Sequence, residues 1–366
     1  MNILFITRNF PPQVGGLENF SFNLFRSLPR ENNLFLIKWS GSKKFLGLIF
    51  PYFLIKSYII VLFKKIDLIY LTDGLLSLLI PFLKVSQKPI VITLHGLDIT
   101  FKNRFYQLII PHCFSWADKI VCVSKATKRE CKKRGVGEKK IEIIPDGVED
   151  KLWLKEDKKM LQKKFRRKFK IDVEEKKIIL SVGRLIKRKG IHWFIEKSIP
   201  LLLGRYKNFI YLIVGEGVME GYINEIIKKK NWQEYIVLLK GVDDEDLKLI
   251  YNIADVFVMP NIKVKGDMEG LGIVLLEAAS CNLPIVASDI EGIRDALLEG
   301  KLGKLVKCYD SKAFAEEILK ILQGKSPPKE NLRKLVKKNF SWEKVSQRYN
   351  EVFYSILRRN RPRLNY

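Results

Sequence analysis

Two carboxylates and two cations carry most of the chemistry legible in this 366-residue chain. Glu269 and Glu277 interrupt GDMEGLGIVLLEAAS, residues 266–280, an otherwise apolar segment in which Gly270 and Gly272 adjoin the first acid. Glycines placed just ahead of an apolar helix leave backbone N–H groups unpaired, and with the helix dipole these make a site for an anion. Were the whole stretch helical, the two acids would lie ~12 Å apart, from a rise of ~1.5 Å per residue. An acid and a nucleophile sharing one glycosidic bond need about 5–9.5 Å. The spacing therefore suits two separate groups of one elongated ligand. A carboxylate accepts paired hydrogen bonds from vicinal hydroxyls, which a sugar and a ribose both offer.

The cations stand in SVGRLIKRKG, residues 181–190, where Arg184 leaves the end of an apolar strand and Lys189 follows beside Gly190. Two cations from one strand-to-helix loop can hold a diphosphate, one by fork geometry and one as a point charge. Near the start, RNFPPQVGGLENF places Gly15 and Gly16 before a helix, where backbone can approach a ligand closely; a plain turn would explain the pair as well. His95 in TLHGLD sits at a strand end, whereas His112 and His192 lie in helix-like surroundings and are read as structural. IVGEGVMEG, residues 213–221, departs from a dinucleotide fingerprint in its third glycine. The acids of DDED, residues 243–246, precede an apolar helix and need no metal to explain them; no metal site is assigned.

These loops need a scaffold, and the chain supplies one. Short apolar, β-branched runs alternate with helical-length segments in two series: ILFIT, LFLIK, LIYL, IVITL, KIVCV and IEII, then IILSV, IYLIV, IVLL, VFVM, PIVAS and KLV. Such alternation predicts parallel sheets covered on both faces, with ligands beyond the carboxyl ends of the strands. The expected fold class is α/β, with two Rossmann-like domains. Residues 151–177, with twelve Lys/Arg against five acids and no strand pattern, mark the junction. The expected division is 1–155, 156–345, and a C-terminal helix or tail, 346–366, that crosses back to the first domain.

The net charge of +26 points to polyanions: anionic membrane, nucleic acid or phosphorylated ligands. Five scattered cysteines without metal spacing read as free thiols of a reducing cytoplasm. The start shows no basic region followed by a cleavage site, so no signal peptide is expected. Residues 45–63, FLGLIFPYFLIKSYIIVLF, carry a single charge, Lys56. Pro51 and Lys56 in mid-run oppose spanning; a buried or half-buried helix and a helix lying in the membrane surface are the two readings kept.

EGLGIVLLEA resembles the E-x7-E segment of the retaining GT-B glycosyltransferases of family 4. The resemblance runs through PPQVGGLENF, TLHG, VCVSKAT, IPDGVE, SVGRLIKRKG, IVGEG and LLKGVDDEDL in order. It implies two domains whose sheets face across a cleft, a nucleotide-sugar donor held mostly by the second domain and an acceptor by the first. By that resemblance Arg184 and Lys189 grip the donor diphosphate and Glu277 the ribose. Glu269 with the N–H groups of Gly270, Leu271 and Gly272 holds the transferred hexose. Gly15 and Gly16 face the phosphates, His95 the sugar and Val242 the base. The implied reaction keeps anomeric configuration by front-face displacement, with no cofactor and no metal. Asp146 stands where the family often has Asn, and NIKVKGDMEGLG, residues 261–272, looks like the version in GDP-mannose-using phosphatidylinositol mannosyltransferases. That favours a mannosyl donor, GDP-linked, over UDP-hexoses.

The expected function is thus hexosyl transfer to a lipid-linked or cell-envelope glycan, in the cytoplasm at the inner face of the membrane. An anionic leaflet would attract each nearby Lys or Arg by ~1 kcal/mol. The alternatives are a nucleotide-sugar epimerase or phosphorylase on the same scaffold, against which the E-x7-E and Arg…Lys pair argue, and a basic membrane or nucleic-acid adaptor. No nucleic-acid motif supports a nucleic-acid partner.

Overall fold

The computed structural model describes residues 1–13, 15–39, 41, 46–149, 152–325 and 332–359. The chain forms two compact units: Met1–Gly147 with Glu269–Leu271 and the chain from Phe340 onward, and Val148–Met268 with Gly272–Asn339.

The first unit runs β1 (Asn2–Thr7), α1 (Gly16–Ser27), β2 (Asn33–Lys38), α2 (Leu46–Phe63), β3 (Leu68–Leu71), α3 (Ile80–Leu83), β4 (Ile90–Leu94), α4 (Leu97–Thr100), α5 (Arg104–Ser115), β5 (Lys119–Cys122), α6 (Lys125–Lys133) and β6 (Ile141–Ile143). Its sheet is parallel in the order β2-β1-β3-β4-β5-β6. The order reverses between β1 and β3, because the first crossover goes one way and every later one the other. Such a switch point opens a crevice beyond the strand ends. The strands are buried on both faces, which is why they read as continuous apolar runs rather than alternating ones.

The second unit runs α7 (Lys158–Phe169), β7 (Lys177–Val182), α8 (Ile191–Lys197), α9 (Ile199–Leu203), β8 (Phe209–Val214), α10 (Glu220–Lys229), β9 (Ile236–Leu239), α11 (Asp244–Ile253), β10 (Val256–Met259), α12 (Ile273–Ser280), β11 (Ile285–Ser288), α13 (Glu291–Ala296), β12 (Lys304–Val306), α14 (Ser311–Leu322) and α15 (Leu332–Phe340). Its sheet, β12-β11-β10-β7-β8-β9, is parallel and reverses between β7 and β10. All twelve expected strands are present, so the α/β class with two Rossmann-like sheets holds.

The basic junction segment becomes α7, which buries Leu161 and Phe165, four residues apart, and leaves most of its cations in solvent. The last helix, α16 (Trp342–Arg359), packs in the first unit. It contributes Val345, Tyr349, Val352, Phe353 and Ile356 to the core on one face of the first sheet, against Phe5, Leu24 and Tyr70. The opposite face is covered by α2, α3 and α5, which bury Ile49, Phe53, Ile80, Leu83, Ile110 and Phe114. Among the described residues no helix is long and apolar enough to cross a membrane. For the run 45–63, residue 45 lies outside the described residues, and α2 packs Ile49, Phe53 and Ser57 inward. All five cysteines are unbridged.

Candidate active site

In the second unit the loop after β7 holds Arg184, Arg188 and Lys189 at the carboxyl end of a switch-point strand. Arg184 is exposed and Lys189 half-buried. Gly183 lies against the stem of Lys189; a Cβ there would sit 3.5 Å from Cε and 3.7 Å from Nζ. Gly190 adopts φ 66°, and its missing Cβ would fall 2.0 Å from the Pro260 carbonyl oxygen, so the backbone that carries Lys189 runs tight against the end of β10.

The sequence reading passed over Arg188, and it is the buried cation of the three. Its Nε donates to Asp267 Oδ1 over 2.9 Å, and its carbonyl accepts from Ile262 N–H over 2.9 Å. One residue thereby fastens the long 261–268 loop to the loop after β7. In a chain with 66 Lys and Arg, nothing local to the sequence marks it out from its neighbours.

Helix α12 begins at Ile273, after Gly272 in the left-handed region with φ 84°. Glu269 is therefore not on the helix, and the separation calculated for a continuous helix does not apply: Gly272 breaks the run. Glu277 lies on α12, half-buried, with Oε2 accepting from the Tyr251 hydroxyl of α11 over 2.7 Å. Burial raises the Glu277 pKa above the usual carboxylate value, and Asp244 adds to the rise, while the Tyr251 bond opposes it. Its Oε1 makes no hydrogen bond among the described residues. Val242 is half-buried in the loop after β9, next to Gly241, whose N–H donates to Glu216 over 3.2 Å. Asp243 caps α11 by accepting from Asp246 N–H, and Asp246 pairs with Lys168, so these acids serve the helix start.

In the first unit, Gly15 is the N-cap of α1; a Cβ there would meet the Glu18 carboxylate at 2.4 Å. At Gly16 a Cβ would meet nothing within 4 Å and the backbone is not left-handed, so neither packing nor conformation explains that glycine. His95 follows β4. Its Nε2 lies 3.0 Å from the Thr72 carbonyl, and its Nδ1 faces Asp146 Oδ1 at 3.8 Å. With the carbonyl as acceptor, Nε2 carries a proton. The Asp98 carboxylate accepts from the N–H groups of His95, Gly96 and Gly74 at 2.8–3.0 Å. It thereby ties the turn after β3 to the loop after β4. Burial raises the pKa of Asp98 and of Asp146.

At the switch point itself Arg8, just after β1, donates from Nε to Asp73 Oδ1, just after β3, over 2.9 Å. Asn9 Nδ2 lies 3.4 Å from the other oxygen of Asp73. Burial pulls the Arg8 pKa down, and the Asp73 carboxylate more than restores it. Arg8, Asp73 and Asp98 were not singled out in the sequence. Each is the polar residue within four positions of a strand end, the same signal that found His95.

Glu269, Gly270 and Leu271 group with this first unit and are buried. A Cβ on Gly270 would lie 1.8 Å from the His95 carbonyl oxygen, so only glycine fits. Glu269, Gly270, Leu271, His95, Gly15 and Gly16 thus fall in the first unit, where Gly270 abuts His95, and Arg184, Lys189, Val242, Gly272 and Glu277 fall in the second.

Residues 162–341 match the family described as Glycosyl transferases group 1, and residues 29–152 that described as Glycosyltransferase Family 4. An uncharacterized glycosyltransferase of Methanocaldococcus jannaschii, MJ1069, is 28% identical over 302 residues, 79% of this chain and 74% of that one. The GDP-mannose-dependent alpha-(1-6)-phosphatidylinositol monomannoside mannosyltransferase of Mycolicibacterium smegmatis is 25% identical over 341 residues, 86% and 88% of the two chains. Among solved structures, Anabaena Alr3699/HepE in complex with UDP and glucose superposes with a TM-score of 0.79 at 17% identity, covering 97% of this chain and all of that one. Sucrose-phosphate synthase from Thermosynechococcus elongatus gives 0.76 at 18% identity, covering 98% of this chain and 100% of its own. These likenesses establish the GT-B fold.

Proposed function

The chain belongs to the group 1 glycosyl transferases of family 4, and from that premise we propose that it moves a hexose, with configuration kept, from a nucleoside-diphosphate sugar to a lipid-linked or cell-envelope glycan. The donor reading rests on one observation above the others: Glu277 is anchored by Tyr251 through one oxygen and keeps the other for a ligand, on a helix that starts beside the loop carrying Glu269. A half-buried carboxylate held in this way suits the vicinal hydroxyls of a ribose.

In this reading Arg184 and Lys189 bind the diphosphate and Val242 borders the base. Glu269 with the N–H groups of Gly270, Leu271 and Gly272 holds the hexose. Gly15 and Gly16 face the phosphates, and His95 borders the sugar. The departing phosphate takes the acceptor's proton as the new glycosidic bond forms. The charge it gains is met by Arg184, Lys189 and the first N–H groups of α12, already oriented before reaction. The scheme calls for no divalent metal and no cofactor. GDP-mannose is the proposed donor, supported by the mannosyltransferase among the relatives and by the form of the 261–272 loop. Cell-envelope relatives, including the capsular polysaccharide glycosyltransferase CapM of Staphylococcus aureus, support the acceptor class. A net charge of +26 supports work at the inner, anionic face of a membrane.

A thermal-shift panel with GDP, UDP and ADP tests the donor site. A nucleotide at 100 times its Kd adds ~2.7 kcal/mol of stability. GDP should raise the melting midpoint, and Glu277→Ala and Lys189→Ala should each abolish the rise. No shift with any nucleotide would sink the donor-site assignment, and a shift with UDP alone would replace the mannosyl donor.

A further inference from the structure

Helix α2 is apolar on both of its faces. One face carries Ile49, Phe53 and Ser57 into the core, and the other points Ile55, Leu62 and Phe63 at solvent, 62%, 77% and 77% exposed. A helix that only covers a sheet turns polar residues outward. Its neighbours repeat the anomaly. Phe82 of α3 is 55% exposed, and Phe105 and Leu108 of α5 are 76% and 73% exposed. The three helices cover the same face of the first sheet, and α3 touches both of the others. Their outer surfaces are therefore adjacent. Monomeric proteins rarely leave so much contiguous apolar surface in water without a partner for it.

The charge on these helices identifies the partner. Leu46–Phe63, residues 80–86 and Arg104–Ser115 contain no Asp or Glu. Their cations are Lys56, Lys84 and Arg104, and exposed Lys64, Lys65 and Lys102 flank them. Lys84 is committed to Asp118 over 2.7 Å; Lys56 reaches its own helix neighbour Tyr52. An apolar surface whose edge carries Lys56, Lys64, Lys65, Lys102 and Arg104, with acids only at Asp67 and at the Lys84-paired Asp118, matches acyl chains beneath anionic headgroups. A second copy of the chain would bring the same cations, and its share of +26, against themselves with no Asp or Glu in the three helices to pair them. Spanning is excluded for α2 by its inward face, which the sheet already occupies.

We propose that the outer surface of α2, α3 and α5 is a docking face that seats the first unit on an anionic phospholipid bilayer, with Ile55, Leu62, Phe63, Phe82, Phe105 and Leu108 entering the headgroup–acyl boundary. The inference deepens the membrane part of the proposed function and rests on it for its biological sense.

The test is co-sedimentation of the full chain with vesicles of phosphatidylcholine alone and of phosphatidylcholine mixed with phosphatidylglycerol. The wild type should pellet with the mixed vesicles and not with the neutral ones. Ile55→Asp combined with Phe105→Asp should lower the partition coefficient at least ~10-fold, since each charge enters the apolar layer. Lys64→Glu combined with Lys102→Glu should lower it several-fold and flatten its dependence on salt. All four positions are exposed, so neither variant empties the core. Absence of vesicle binding by the wild type, or binding by the Asp variant equal to the wild type, overturns the proposal. So does a dimer in sedimentation velocity that the Asp variant dissolves, which would make the face a self-interface. Nucleotide thermal shifts on the same proteins separate the two ideas. Shifts that persist in the Asp variant confine its defect to the membrane, whereas vesicle binding without any nucleotide shift would leave the surface standing and remove the donor site.

Discussion

The hydroxyl of Tyr251 on α11 donates to Oε2 of Glu277 on α12 over 2.7 Å, joining a fully buried phenol to a half-buried carboxylate. Water is largely withdrawn from the carboxylate, which raises its pKa, and the phenol returns part of what burial removes.

Glu277→Gln should keep the fold and lose nucleotide affinity. The folded-state pKa of Glu277 lies above its unfolded value, so its protonation favours folding at low pH. That stability is fully present below the unfolded pKa, is lost as pH rises to the folded pKa, and is absent above it. The melting midpoint of Glu277→Gln relative to wild type should therefore climb through that window and then level off. Each unit of difference between the two pKa values corresponds to about 1.4 kcal/mol. A midpoint difference that is flat in pH would mean that Glu277 pays nothing for its burial.

Tyr251→Phe removes the donor while keeping the ring. Hydrogen bonds to charged groups contribute about 1.5–3 kcal/mol, so nucleotide affinity should fall on the order of 10-fold or more. The pH at which binding is lost on acidification should also move upward, because the carboxylate has lost the contact that opposed its protonation. Calorimetric titrations at several pH values would read both effects.

Arg188 and Lys189 are adjacent and should fail differently. Arg188→Met breaks the Asp267 pair and frees the 261–268 loop, so urea denaturation should show a loss of about 1–3 kcal/mol, the scale for a lost charged hydrogen bond whose remaining partner, Asp267, is partly exposed. Lys189→Ala should cost less stability but slow transfer by ~10²–10³, the scale for deleting one preorganised donor. The reverse ranking would exchange their roles.

Gly270→Ala has no side-chain motion to relieve it, because the atom in the way is the backbone oxygen of His95. The loop must shift. Stability should fall by about 1–3 kcal/mol, and the transfer rate should fall further than Kd for nucleotide rises, since the hexose contacts move more than those of the ribose. The urea midpoint of Gly16→Ala, where a Cβ meets no protein atom within 4 Å, provides the control for folding.

Phe353 of α16 packs on Tyr70 with ring centroids 5.4 Å apart and is fully buried. Phe353→Ala should cost about 3–5 kcal/mol in the first unit, read as a lower urea midpoint. An unchanged midpoint would show that the last helix is dispensable to that unit.

Much of this was legible in advance. Twelve buried strands announce themselves as apolar, β-branched runs because a parallel sheet hides both faces, so no polar alternation interrupts the pattern. His95 and Arg184 were found by their position just after such runs. Arg8, Asp73 and Asp98 occupy equivalent positions but lack a spacing of their own. Their significance comes from one another, through contacts between loops 24 and 65 residues apart in the chain.

By itself, then, the order of residues determined the elements, their parallel arrangement and the loops that follow the strand ends, because these follow from local periodicity and from which residues break it. Only the tertiary structure decided which cation is buried and which half-exposed in Arg184–Lys189, that Glu277 is braced by Tyr251, and that Gly270 abuts His95. It also decided that α2 turns an apolar face outward. Burial and pairing depend on what arrives from distant segments, and a run that is apolar on every side cannot say which side the sheet will take.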